Sequence, residues 1–279
     1  MLPPAIDRSL RRITQCLRVY VGSAHSAADL ISLLAGRRRQ GVRESIGSDP
    51  GFEAALSALA AALQSLRVAI GDLRGMTCDV VIADRWLLYD VVALDVAQVP
   101  RQAARSAVAA TLADVGGTRA DALEVSWQWQ RDGYSVIAMG IQRVRLSQLR
   151  ELLAQHELAA RSVTGEFVAV LNAQRTRLIG PRVVFAVSRN SGAQVALLAD
   201  GAVRSVAFEA GCNSGTKLVR AAVNAMRARG DDTTSDVDYV IDPGEPPADK
   251  REHEHYDVAV PSGAERWLRV SSPEWAAAL

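Results

Sequence analysis

Three runs of strand-like composition, 182–188, 193–199 and 202–208, follow one another too closely for a helix to fit between them. Asp200-Gly201 joins the last two as a two-residue hairpin turn, and Pro181 ends the connection that leads into the first. Gly211 then leads into a helix predicted over 214–229. The same order occurs near the start of the chain. Strands are predicted at 17–21, 28–34 and 40–46, and Gly36 with the run Arg37-Arg38-Arg39 suits a hairpin turn between the last two. That arginine run reads as a solvated turn; the sharper reading is a contact with an acidic partner or an anionic lipid. Asp49-Pro50 opens a helix whose Leu56, Leu59, Leu63, Leu66 and Ile70 form one apolar stripe, with Gly71 and Gly75 bracketing its end. A chain that twice makes a strand meander and then a helix is constrained to two sheets, each with a helix packed on it.

Between the two repeats, 78–83 reads as a buried strand and 86–94 as another. A small α+β module comes next. It has an Ala-rich helix over 101–115 stopped by Gly116-Gly117, and strands at 123–130 and 134–141 joined across Arg131-Asp132-Gly133. A helix begins near Arg145 with Leu146, Leu149, Leu152 and Leu153, and a short strand is predicted at 158–163. Residues 164–172 are predicted helical. Beyond Gly230 the chain turns polar, with one strand at 237–241 and a stretch at 243–256 that reads as linker or disorder. Two meander-plus-helix units facing each other are the plan of the actin/Hsp70/sugar-kinase fold.

Charge gives little direction. Lysine plus arginine number 32 against 31 acidic residues, so global electrostatics gives no argument for nucleic acid or membrane binding. Cys16, Cys78 and Cys212 are far apart and form no CxxC pair, which suits three reduced thiols. The stretch 1–17 has no continuous apolar run and is not a secretory signal, and Gln64, Ser65 and Arg67 interrupt the apolar stretch 56–70. A soluble intracellular protein with no membrane span of its own is the expectation.

Within this frame, residues 76–211 resemble the PilM-type actin-like proteins of type IV pilus assembly and the cytoplasmic domain of GspL-type proteins of type II secretion. "CDVVIADRWLLYDVVAL" resembles the strand pair before that family's inserted module, and "VPRQAARSAVAATLADVGG" the helix that opens it. "YSVIAMGIQRVRLSQLRELLAQHELAARSVTGEFVAVLNA" resembles its strand, helix, short strand and return helix. "VVFAVSRNSGAQVALLADGAVRSVAFEAG" resembles the opening of the second half, where a phosphate loop joins two strands. The fold this implies is α/β, an actin-like (ASKHA), ribonuclease-H-like duplicated fold with an inserted α+β module. Its layout would be an extension at 1–16, a first actin-like subdomain from 17–96 and 164–180, and the module at 97–163. A shortened second subdomain at 181–242 and a polar linker and tail at 243–279 would complete it.

In nucleotide-binding members of the resembled family, each phosphate loop carries an Asp with nearby Gly and Ser or Thr. The glycine lets backbone N–H groups reach the phosphates, and the Asp organises Mg²⁺ and water. Here the first loop would be Gly22-Ser23-Ala24-His25-Ser26, which has no Asp. The second would be Ser188-Arg189-Asn190-Ser191-Gly192, with Ser188 where the family places its Asp. Without either carboxylate Mg²⁺ has no obvious anchor, so both loops read as structural turns and no cofactor is expected. The alternative is an ATP- and Mg²⁺-binding ATPase or nucleotide sensor, in which Ser23, Ser188, Arg189 and Gly211 would contact the nucleotide. The segment Gly211-Cys212-Asn213-Ser214-Gly215-Thr216-Lys217 resembles a P-loop, but its residue order is wrong, and a helix cap is the simpler reading.

His253 and His255 fit a solvated linker better than a metal site, because two ligands alone rarely make one. Trp127 and Trp129 share one strand face and are either core or, where exposed, a protein-binding surface. Trp267 and Trp275, with Leu268, Val270 and Leu279, either dock the tail back on the domain or bind a partner. The resemblance implies a non-catalytic cytoplasmic scaffold, peripheral to the inner membrane of a pilus or type II secretion platform. Its partners would be a membrane-anchored assembly protein and an assembly ATPase.

Overall fold

The computed structural model describes residues 15–32, 38–46, 51–95, 99–130, 132–176, 178, 180–189, 192–210, 238–242 and 267–269. The extension at 1–14, most of the Arg37 turn, the helix at 214–229, Gly211, Cys212, His253, His255 and Trp275 lie outside the described residues. The chain divides into two compact units, Met1–Trp86 with Gln142–Glu166, and Leu87–Ile141 with Phe167–Ala278. The first is thus interrupted in sequence by 87–141.

The first unit is built on a five-stranded sheet. Strands β1 (Gln15–Val21), β2 (His25–Ser32) and β3 (Arg38–Ser45) form the antiparallel meander, and β4 (Thr77–Ile82) pairs parallel with β1. The arginine run does not stay in the turn, since Arg38 and Arg39 already belong to β3. Helix α1 (Phe52–Ile70) packs on this sheet through Ala55, Leu59, Ala62, Leu63 and Leu66, each fully covered. Its composition meets the length and hydropathy of a membrane span, but that apolar stripe is the lid of the sheet. Ser26 on β2 donates to the Ala55 carbonyl at 2.8 Å and fixes the helix over the strands.

The strand expected to end the inserted module belongs elsewhere. β8 (Ala159–Gly165) joins β4 in parallel, giving the order β3-β2-β1-β4-β8. Helix α3 (Arg143–Gln155), also expected in the module, comes with it. Its Gln148 donates to Glu53 of α1 at 3.3 Å, and its Arg145 lies 5.9 Å from the Phe52 ring. The pairing shifts register at Cys78/Asp79, so that Arg161 and Ser162 both meet Asp79. Arg161 makes a two-pronged ion pair with that carboxylate, and Ser162 Oγ donates to Oδ1 at 2.6 Å. Register also places Arg18 beside Asp79, with Asp29 on its other side.

The second unit holds two sheets. In one, β5 (Leu87–Ala93), expected in the first subdomain, pairs antiparallel with β7 (Ser135–Gln142), and β6 (Leu123–Trp129) lies beyond it. Helix α2 (Arg101–Gly116) covers this sheet, burying Val108, Leu112 and Ala113 against Val92, Leu123, Val125, Val136 and Ala138. The module is therefore 87–141, and pairing along the whole of β5 sets that boundary.

The other sheet repeats the first. β9 (Arg182–Arg189), β10 (Gly192–Ala199) and β11 (Ala202–Ala210) form the meander, and β12 (Asp238–Asp242) pairs parallel with β9. β13 (Trp267–Arg269) then pairs parallel with β12. The order β11-β10-β9-β12-β13 matches the first sheet strand for strand. The second half is thus not cut short at 242, because a strand from the tail completes it. Asp200 (φ 53°) and Gly201 (φ 74°) make the expected hairpin turn, both left-handed as a type I′ turn requires. Helix α4 (Glu166–Gln174) sends Phe167 between Tyr89 and Phe185, 5.6 Å from each ring.

Two substitutions test this packing. Leu112→Ala should cost ~2–5 kcal/mol by leaving a cavity in the module core, read as a lower midpoint in urea. Burial pushes the Asp79 carboxyl up, but the hydrogen bonds from Arg161 and Ser162 and the charges of Arg161 and Arg18 outweigh it and hold its pKa below the ordinary value. A lowered folded pKa stabilises above the unfolded value of about 3.9 and is lost as pH falls through the folded one. Asp79→Asn should cost ~1 kcal/mol at pH 7, and the gap in Tm from the parent should close as the pH drops below about 4.

Candidate functional site

β1, β4 and β8 run in the same direction and end in register, Val21 beside Ile82 and Ile82 beside Gly165. The three connections that leave these strands therefore emerge along one edge of the first sheet, the carboxyl edge where α/β sheets bind ligands. After β1 comes the turn 22–24, tied to the next connection by the Ala83 N–H, which donates to the Val21 carbonyl at 2.9 Å. After β4 comes a 3₁₀ turn, Asp84–Trp86, with Asp84 buried. After β8 comes Glu166, the first residue of α4, which is 3% exposed.

Tyr20 joins these connections. Its hydroxyl donates to Glu166 Oε2 at 2.9 Å, and its ring lies 5.4 Å from that of His25. The ring also lies against Gly22, where a Cβ would overlap both the Tyr20 ring and the His25 carbonyl oxygen. Gly22 is thus required by the aromatic ring and the folded-back turn. A phosphate cradle needs free backbone N–H groups around an open space. Here the Tyr20 ring and the His25 carbonyl lie against Gly22 on the side where a side chain would project, and the Glu166 carboxylate stands at the same edge.

Ser23, expected in this turn, is there and half-buried. Tyr20, Asp84 and Glu166 stand at this edge, and sequence reasoning misses them. Glu166 reads in sequence as an ordinary acid in the first turn of a helix. The available signal was its position directly after a strand, which matters only once β8 is known to lie beside β4.

In the second unit Ser188 and Arg189 are the last two residues of β9, and Arg189 pairs with Gly192 at the start of β10. Ser188 is buried, and Arg189 Nη1 donates to the Ser188 carbonyl at 2.7 Å. Trp127 packs partly on the module core, and Trp129 on the same face of β6 is 36% exposed. The turn after β6 is held by Gln130, whose side-chain amide exchanges two hydrogen bonds with the Val203 backbone, and by Arg204, which pairs with Asp132 at 2.8 Å. Burial, with Asp79 and Cys16 nearby, pushes the Cys78 thiol up to about 12, so it stays protonated and inert. Among the described residues no group of three or more His, Cys, Asp or Glu is placed to hold a metal.

No family model matches the chain, and no curated protein sequence matches it. Solved structures do. A Bacteroides thetaiotaomicron protein with an actin-like ATPase fold superposes with a TM-score of 0.58 at 8% identity, covering 86% of this chain and 85% of that one. The cytoplasmic domain of EpsL, an inner-membrane component of the Vibrio cholerae type II secretion system, gives 0.56 at 10% identity, covering 95% and 93%. The PilM–PilN type IV pilus biogenesis complex gives 0.56 at 13% identity, covering 82% of each chain. The expected actin-like α/β fold is therefore the fold of this chain, and the likeness to the PilM and GspL types extends to three dimensions.

Tyr20→Phe should cost ~1–3 kcal/mol, because Glu166 loses a donor in a buried setting. Gly22→Ala should cost more, since the added methyl meets backbone as well as a ring. Thermal melts of both against the parent check the order.

Proposed function

We propose that this chain is a non-catalytic actin-like scaffold of a bacterial type IV pilus or type II secretion platform. It works on the cytoplasmic side of the inner membrane, to which a membrane-anchored assembly protein recruits it. An assembly ATPase is a second partner. The observation that carries the reading is at the first turn: the Tyr20 ring lies against Gly22 and its hydroxyl is tied to Glu166, so an aromatic ring and a carboxylate crowd the connection that a phosphate would have to approach. Neither turn 22–24 nor Ser188-Arg189 supplies an Asp to position Mg²⁺. The resemblance in the segments 76–211 and the likeness to the EpsL domain and PilM support the choice of machinery.

A second reading is a nucleotide sensor or ATPase in the same machinery. Asp84 and Glu166 favour it, since both carboxylates stand at the carboxyl edge of the first sheet. In that reading Ser23, Ser188, Arg189 and Gly211 contact ATP.

Calorimetric titration with ATP and Mg²⁺, with phosphate release followed in parallel, separates the two. The scaffold reading expects no heat and no release, and no rise in Tm at saturating nucleotide, because a ligand of the folded state must raise it. Turnover or tight binding would overturn it. Affinity capture on the cytoplasmic segments of pilus and secretion membrane proteins then identifies the partner.

A further inference from the structure

In the order β5-β7-β6, strand β6 is the outer strand of the module sheet, and among the described residues no strand pairs with its far side. Natural edge strands are guarded by Pro, Lys, bulges or unpaired charge. β6 reads Leu-Glu-Val-Ser-Trp-Gln-Trp and has no Pro or Lys. Its single charge, Glu124, is neutralised by Arg105 of α2 at 2.7 Å. The Gln130 N–H donates to the Ser135 carbonyl of β7. Alternation along the strand therefore turns the N–H groups of Val125, Trp127 and Trp129 toward the open side.

We infer that β6 pairs antiparallel with β6 of a second copy of this chain, about a two-fold axis at Ser126. That register sets Leu123 beside Trp129 of the second copy, Val125 beside Trp127, Glu124 beside Gln128, and Ser126 beside itself. The strand is self-complementary in this arrangement. Leu123 and Val125 are buried, Trp127 is half-buried and Trp129 is exposed, so the exposed end of each strand meets the covered end of the other. The opposite face pairs only polar residues, with no like charges opposed. A shift by one residue sets the tryptophans against glutamate and serine. The inference is independent of the choice of secretion or pilus machinery.

A seven-residue strand pair is small, which places the dimer among transient interfaces. Sedimentation equilibrium of the full chain up to ~200 µM, a range suited to weak association, should show the mass rising toward two chains. Ser126 is exposed and sits at a position where the two backbones approach closely. Ser126→Lys and Ser126→Glu should each abolish the rise while leaving Tm unchanged, and an equimolar mixture of the two should restore it. Gln128→Glu, which sets a carboxylate opposite Glu124 of the second copy, should weaken association as well. A parent chain that stays single at every concentration overturns the inference and leaves the edge to a strand of another protein. So does a dimer that survives both Ser126 variants, or a mixture no better than its components.

Discussion

β8 lies on β4 although the whole module separates them in sequence, and much of the first unit depends on that pairing. Closing so long a connection costs conformational entropy, which the β5–β7 pairing offsets in part by bringing Leu87 beside Ile141, and a parallel pair offers no hairpin to guide its register. Here the register is held by chemistry. The extra residue at the Cys78/Asp79 shift lets Arg161 and Ser162 grip one carboxylate, while Arg18 approaches from β1. With β8 in place, Glu166 arrives where Tyr20 can reach it, and the edge is complete.

The two five-stranded sheets share one topology but finish their first hairpins differently. In the first unit an aromatic ring lies against the turn glycine and a carboxylate accepts its hydroxyl. In the second an arginine at the end of β9 turns back to the carbonyl of the residue before it. Duplicated architecture fixes where the chain reverses direction, and local side chains then decide what each reversal holds.

The strand runs, the helices at 52–70 and 101–116, and the Asp200-Gly201 turn were legible in the sequence, because each is written in local periodicity or turn chemistry. Strand partners were not. Nothing in Ala159–Gly165 distinguishes a strand that stays with its neighbours from one that returns to β4, since the determinant, Asp79, lies far away in the chain. The short run Trp267–Arg269 falls in a polar tail and gains strand character only from β12 beside it. Likewise Ser23, Ser188 and Arg189 came from matching loops by order, whereas Tyr20 and Glu166 lie on distant segments and meet only in three dimensions.

Leu87 and Ile141 are direct partners across β5 and β7, so the module leaves the first unit and returns to it through neighbouring strands. Trp86 and Gln142 are consequently side by side, and the host sheet experiences the insertion as little more than a tight loop. Such a junction is a natural cassette boundary. A segment of another length can start and finish at 86/142 without changing the strand order of the host sheet.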